Sequence, residues 1–317
     1  MSDNIKGALF ALCAFAIYAV HDVLVRVIGG SFSPFQTLFF TSLLSFPLLT
    51  LVLVQDSTKG TMRPFHPWWL ALRSLVMVAA SVCGFYAFAN LPLAQVYAIL
   101  FMIPLLVTLM SIPILGEKVG IHRASAILVG LIGVIVVVQP GSTELTLAHL
   151  AAFGTAVGAA LQSVISRKIG NDERPVVMML FPLLAIFLIM GASLFFVYEP
   201  MEFIDLGGMA GISFLGFIAT FCLVWAYRKG EAAIVAPMQY SQIIWAVVFG
   251  SLFFGEKISS ATFLGAALVI SSGIYIVARE ALSGRSENQP VTRTRSRGVS
   301  PGGLRVSELL RRQREKD

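Results

Sequence analysis

Apolar residues in this chain neither alternate as in a half-buried strand nor recur with the period of an amphipathic helix. They run on without charge for lengths that match a lipid bilayer. Leu93–Leu115 is 23 residues without a charge, closed by Gly116-Glu117-Lys118. Ala232–Phe254 is again 23 uncharged residues, closed by Gly255-Glu256-Lys257. At about 1.5 Å per helical residue, each run crosses a hydrocarbon core ~30 Å thick. The same pattern predicts ten spans, at approximately 5–28, 35–54, 68–90, 93–115, 122–138, 147–168, 176–197, 206–227, 232–254 and 260–278. Turn residues such as Ser33-Pro34, Gln139-Pro140-Gly141-Ser142, Arg174-Pro175 and Glu199-Pro200 punctuate them.

The spans repeat. The two Gly-Glu-Lys turns lie 139 residues apart, and Lys6–Gly29 resembles Leu147–Gly170 at an offset of 141, with Arg26 over Arg167 and Gly29 over Gly170. Tyr86-Ala87-Phe88 falls over Trp225-Ala226-Tyr227. Each unit holds five spans, an odd number, so the second unit is expected upside down in the membrane. The expected fold is all-α and integral to the membrane: ten transmembrane helices as two inverted five-helix repeats, residues 1–144 and 145–279, followed by a basic, disordered cytoplasmic tail over 280–317.

Composition agrees. Hydrophobic residues make up 57% of the chain and charged residues 13%, about half of what a soluble domain carries. Mean hydropathy is +0.83. Lysine and arginine set the orientation. One side would carry Lys6, Lys59, Arg63, Arg73, Lys118, Arg123, Arg167, Lys168, Arg174, Arg228, Lys229 and Arg279, the other only Arg26 and Lys257. That bias predicts cytoplasmic termini and an inner-membrane location. The tail holds nine of the basic residues against five acidic ones and accounts for most of the net charge of +6, so no nucleic-acid surface is implied. Cys13, Cys83 and Cys222 all lie in apolar runs, form no Cys-x-x-Cys pair and are expected as packing residues.

Three groups of side chains interrupt the apolar pattern. Asp22 is an acid well inside the first span, which marks it as a binding candidate. Arg26 follows it at the spacing of a facing helical pair, so a structural Asp22–Arg26 pair is the competing expectation. His21 points about 100° away around the helix and need not share the site. Arg73, inside the third span, is expected to snorkel to the headgroups. The third group is polar and aromatic: Tyr86 and Asn90, Tyr97, Gln162, Trp225, then Gln239, Tyr240, Gln242 and Trp245. Pro104 and Pro237 are expected to interrupt the fourth and ninth spans, where transporters of inverted-repeat design bind their solutes. Individually these residues also suit helix packing. The Gly-Glu-Lys turns lack the glycine spacing of a phosphate loop, and the four histidines form no ligand cluster, so neither metal nor cofactor is expected.

With Pro104 in the fourth span, Gly-Glu-Lys after it, and Ala236-Pro237-x-x-Tyr240 in the ninth, the chain resembles the drug/metabolite transporter superfamily, EamA type, over about residues 5–279. His21-Asp22 and Phe39-Phe40 resemble the branch with S-adenosylmethionine and riboflavin importers, although Thr41 stands where that branch often has arginine. The expected function is secondary transport of a small organic metabolite: vitamin, nucleoside-like or amino-acid-like. The expected partners are that solute and the bilayer, with a homodimer as a candidate assembly. A scaffold, an intramembrane enzyme, a channel and an exporter remain as alternatives.

Overall fold

The computed structural model describes residues 3–55, 62–116, 121–138, 145–170, 172–229, 235–257 and 259–282, and all their regular elements are helical. The tail from 283 onward and the Glu117-Lys118 half of the first Gly-Glu-Lys turn lie outside the described residues. In chain order the helices are α1 (Asp3–Gly29), α2 (Pro34–Gln55), α3 (Pro67–Asn90), α4 (Leu93–Leu100), α5 (Ile103–Leu115), α6 (Ile121–Val138), α7 (Leu147–Ile169), α8 (Pro175–Val197) and α9 (Phe203–Lys229). A 3-10 segment, Ala236–Ser241, leads into α10 (Gln242–Phe254), and α11 (Ser260–Leu282) follows.

Seven stretches are long and apolar enough to cross a membrane; Leu128–Val138, Met238–Phe254 and Ser260–Tyr275 are shorter apolar helices. Side chains such as Trp68, Phe195, Phe196 and Phe203 stand almost fully exposed, as expected of surface that faces lipid rather than water.

The fourth expected span is two helices, not one. The regular α-helix is interrupted by a turn at Phe101-Met102, whose backbone stays right-handed helical, and Pro104 sits in the first turn of α5. A proline there has no N–H for the carbonyl four residues back, that of Leu100, so the interruption precedes it. The ninth span is likewise divided, with Pro237 near the start of its tight 3-10 turn. Both spans end on a left-handed glycine, Gly116 at φ 72° and Gly255 at φ 62°. Its N–H closes the helix on Ile112 O (3.1 Å) in one case and on Ser251 O (3.2 Å) in the other.

Helices pack mostly with distant partners: α1 along α9, α3 along α7, α2 along α8 and α6 along α11. α4 lies innermost, with every residue but Gln95 buried. Around it, Phe88, Tyr97, Phe101 and Tyr240 form a continuous aromatic row from α3 to the 3-10 segment, with neighbouring ring centroids 5.6, 6.4 and 5.2 Å apart.

Candidate functional site

α1 brings Asp22 to this row. Asp22 is 2% exposed and lies about two helical turns inside the end of α1 at Gly29. Its Oδ2 accepts a short hydrogen bond from the Tyr97 hydroxyl of α4, and its Oδ1 lies 2.8 Å from Nδ1 of His21. Burying an isolated carboxylate is prohibitive, so donors on both oxygens are what let this one stay inside. His21 therefore belongs to the site, which its helical angle alone does not require. Its ring also meets Tyr18 edge-on, and the Tyr18 hydroxyl is 2.8 Å from Thr220 Oγ1 on α9. The site thus joins α1, α4 and α9.

Arg26 points elsewhere than its spacing suggests. It forms an ion pair with Glu256 beyond α10, donates to the Leu91 carbonyl (3.0 Å) and lies 4.3 Å from the centre of the Phe254 ring. One helical turn outward from Asp22, the end of α10 reaches Arg26 first.

Arg73 does not snorkel. It is 5% exposed and donates to the Met178 carbonyl (2.6 Å) and Ser166 Oγ (2.8 Å). Met178 lies four residues before Pro182, which has no N–H to offer that carbonyl. The guanidinium fills the gap.

Two amides stand out. Gln162 Oε1 and Gln242 Nε2 are buried with no hydrogen-bond partner among the described residues. Gln239 and Tyr240 are buried as well, and the Tyr240 hydroxyl lies against the backbone of Gly273 on α11.

Comparison with known proteins places this arrangement. A family model described as the EamA-like transporter family matches the chain twice, over residues 5–139 and 146–279. The chain belongs to the EamA-like transporter family. This EamA protein is thus a multi-pass membrane transporter rather than an enzyme. It is similar to an S-adenosylmethionine uptake transporter of Rickettsia prowazekii (strain Madrid E), 22% identical over 91% of this chain and 100% of the relative. A riboflavin transporter of Rhizobium johnstonii is 26% identical over 91% and 95%, and a pseudopaline exporter of Pseudomonas aeruginosa 26% over 86% and 95%. A solved crystal structure shares the fold, with a TM-score of 0.59 over 90% of this chain and 99% of that one at 18% identity.

The remaining expected residues of the EamA protein lie away from Asp22–Tyr97. Asn90 is exposed and donates to the Tyr86 carbonyl (2.8 Å) at the end of α3; Tyr86 is half-buried. Trp225 sits by Phe10 and Phe221, and Trp245 stacks on Phe249 at 5.8 Å. Sequence reasoning missed His21 as a partner of Asp22 and Glu256 as a partner of Arg26. A repeated acid beside a helix-ending glycine was the available signal for Glu256. Among the described residues no group of three or more His, Cys, Asp or Glu could hold a metal ion.

Proposed function

We infer that this protein is a secondary transporter that moves a small organic solute by alternating access between two inverted five-helix repeats. The central site is built on Asp22, Tyr97 and His21. The observation that carries this is the doubly hydrogen-bonded carboxylate, buried in the innermost part of a transporter-family fold. An intramembrane acid kept at such cost is a seat for a proton or for a cationic part of the solute.

A two-fold relation between the halves is supported by the way helices pair, and the odd number of spans in each half supports the inversion. Exchanging the two halves maps α1 against α9 onto α7 against α3, and leaves α2 against α8 and α6 against α11 unchanged. The two family matches divide the chain at the same place, between 139 and 146. α6, α11 and the divided ninth span complete the seven long stretches to ten. Cytoplasmic termini in an inner membrane follow from the lysine and arginine bias. Gln162, Gln239, Tyr240 and Gln242 supply neutral hydrogen-bonding groups, and the Phe88–Tyr240 row supplies flat apolar surface. Both suit a solute with a planar or amide-bearing part, as in the solutes named for the relatives, S-adenosylmethionine and riboflavin.

Counterflow into proteoliposomes tests the function. Vesicles preloaded with an unlabelled probe should accumulate the same labelled probe transiently above equilibrium, and initial rates should saturate. S-adenosylmethionine and riboflavin head a panel of vitamins, nucleosides and amino acids. Flux that rises linearly with concentration would indicate a channel. Absence of flux across the whole panel, from protein that is folded, would remove the transport assignment.

A further inference from the structure

We propose that Arg26 and Glu256 form the outer gate of the transport path, joined when the path is closed to the outside and parted when it opens. This rests on the transport function proposed above.

The pair stands one helical turn outward from Asp22 on α1, about 6 Å along the axis. It ties three elements together. Arg26 closes α1, while Glu256 and Phe254 belong to the end of α10. The Leu91-Pro92-Leu93 turn that opens α4 receives both charges. Arg26 donates to the Leu91 carbonyl, and Glu256 Oε2 accepts the Leu93 N–H at 3.1 Å.

Local helix chemistry does not account for Glu256. A carboxylate just past a helix C-terminus faces the negative end of the dipole of α10 and is disfavoured there. The same carboxylate lies at the N-terminus of α4, where the dipole favours it and where Pro92 supplies no side-chain cap. Glu256 therefore serves α4, in the other half of the chain. Tyr97, the donor to Asp22, is one turn further along that helix. Moving α10 away would withdraw the cap from α4 and the counter-charge from Arg26 together, so opening the outer end and loosening Tyr97 on Asp22 are one event.

The turn is built to deliver this acid. Gly255 takes the left-handed conformation that reverses the chain, and the Glu256 N–H closes on Gly250 O at 3.0 Å. A Cβ on Gly250 would lie 2.5 Å from Glu256 Oε2, so a side chain at 250 would make the carboxylate shift from its place. The half-buried pair, with side chains 18% and 13% exposed, is shielded enough to hold yet close enough to water to part.

Spin labels test the gate without any solute. With Cys13, Cys83 and Cys222 replaced by serine, cysteines at the exposed positions Ser31 and Lys257 are labelled in liposomes and their distance distribution is measured. Glu256→Gln and Arg26→Gln are each expected to raise the longer-distance population about tenfold over the parent. Glu256→Asp keeps the charge but withdraws it by one methylene, and is expected to change the distribution in the same direction by less. It also carries the comparison should either glutamine variant fail to insert. A distribution in the variants identical to that of the parent overturns the gate. If the parent shows counterflow in that case, the transport function stands and only the gate falls.

Discussion

Asp22→Asn is expected to lower solute flux at least a hundredfold, normalised to folded protein, with little change in melting temperature. Asparagine keeps the volume and can still accept from Tyr97, so the aromatic row and the side-chain link between α1 and α4 survive. What is lost is the charge. A charge-assisted contact to a bound cationic group contributes about 1.5–3 kcal/mol, against ~1 kcal/mol for a neutral one, and the loss of the carboxylate that could take up a proton in the site compounds it. Tyr97→Phe removes one donor and leaves the carboxylate, so its expected loss is smaller, about tenfold. His21→Gln should fall between them. If Asp22→Asn transports at the parent rate, Asp22 is a structural residue and the two unpartnered amides, Gln162 and Gln242, become the better place to look.

The largest expected effect on stability lies elsewhere, where α6 meets α11. There Gly133 and Gly265 let two backbones touch. A Cβ on Gly133 would lie 2.8 Å from the Gly265 carbonyl oxygen and 2.8 Å from a Val269 methyl. A Cβ on Gly265 would strike the Gly133 carbonyl and a Val137 methyl. Small residues are the means by which helices in lipid approach closely, since no hydrophobic effect drives them together there. Overpacking a well-filled interface costs about 1–3 kcal/mol, and a backbone atom cannot rotate out of the way. Gly265→Ala is therefore expected to lower the apparent melting temperature in detergent by about 2–5 °C, and Gly133→Ala by somewhat less. Alanine at both positions should separate the helices or prevent insertion. A melting temperature within a degree of the parent for Gly265→Ala would mean that α6 and α11 do not touch in the membrane.

The sequence made much of this architecture readable, for identifiable physical reasons. Apolar run length is fixed by bilayer thickness, so the long helices stand where the uncharged stretches do. The two helix-ending glycines are visible because a left-handed turn at 116 and at 255 needs glycine. What could not be read were contacts between residues far apart in the chain. Asp22 and Tyr97 are 75 residues apart, and nothing in either helix alone says that their side chains will meet. Arg26 looked like the partner of Asp22 because spacing on one helix is all a sequence displays, whereas the acid that reaches it arrives from α10. Arg73 failed as a snorkelling residue for a related reason. Its acceptor, the Met178 carbonyl, is left open by Pro182 and lies 105 residues away in the chain but adjacent in space. A proline inside a helix also predicts an open carbonyl four residues back, and an open carbonyl inside a membrane calls for a donor.

Inverted orientation of the two halves is the claim on which alternating access depends, and residues 31 and 172 test it most directly. They occupy equivalent places in the two repeats, at the offset of 141 that relates Arg26 to Arg167, and both are exposed. Single cysteines at Ser31 and at Asp172, in a chain with the three native cysteines replaced by serine, are offered to a membrane-impermeant maleimide on intact cells and again after permeabilisation. An inverted repeat with cytoplasmic termini predicts that Ser31→Cys is labelled in intact cells and Asp172→Cys only once the membrane is opened. Labelling of both from the same side would place the two halves in the same orientation and contradict the account.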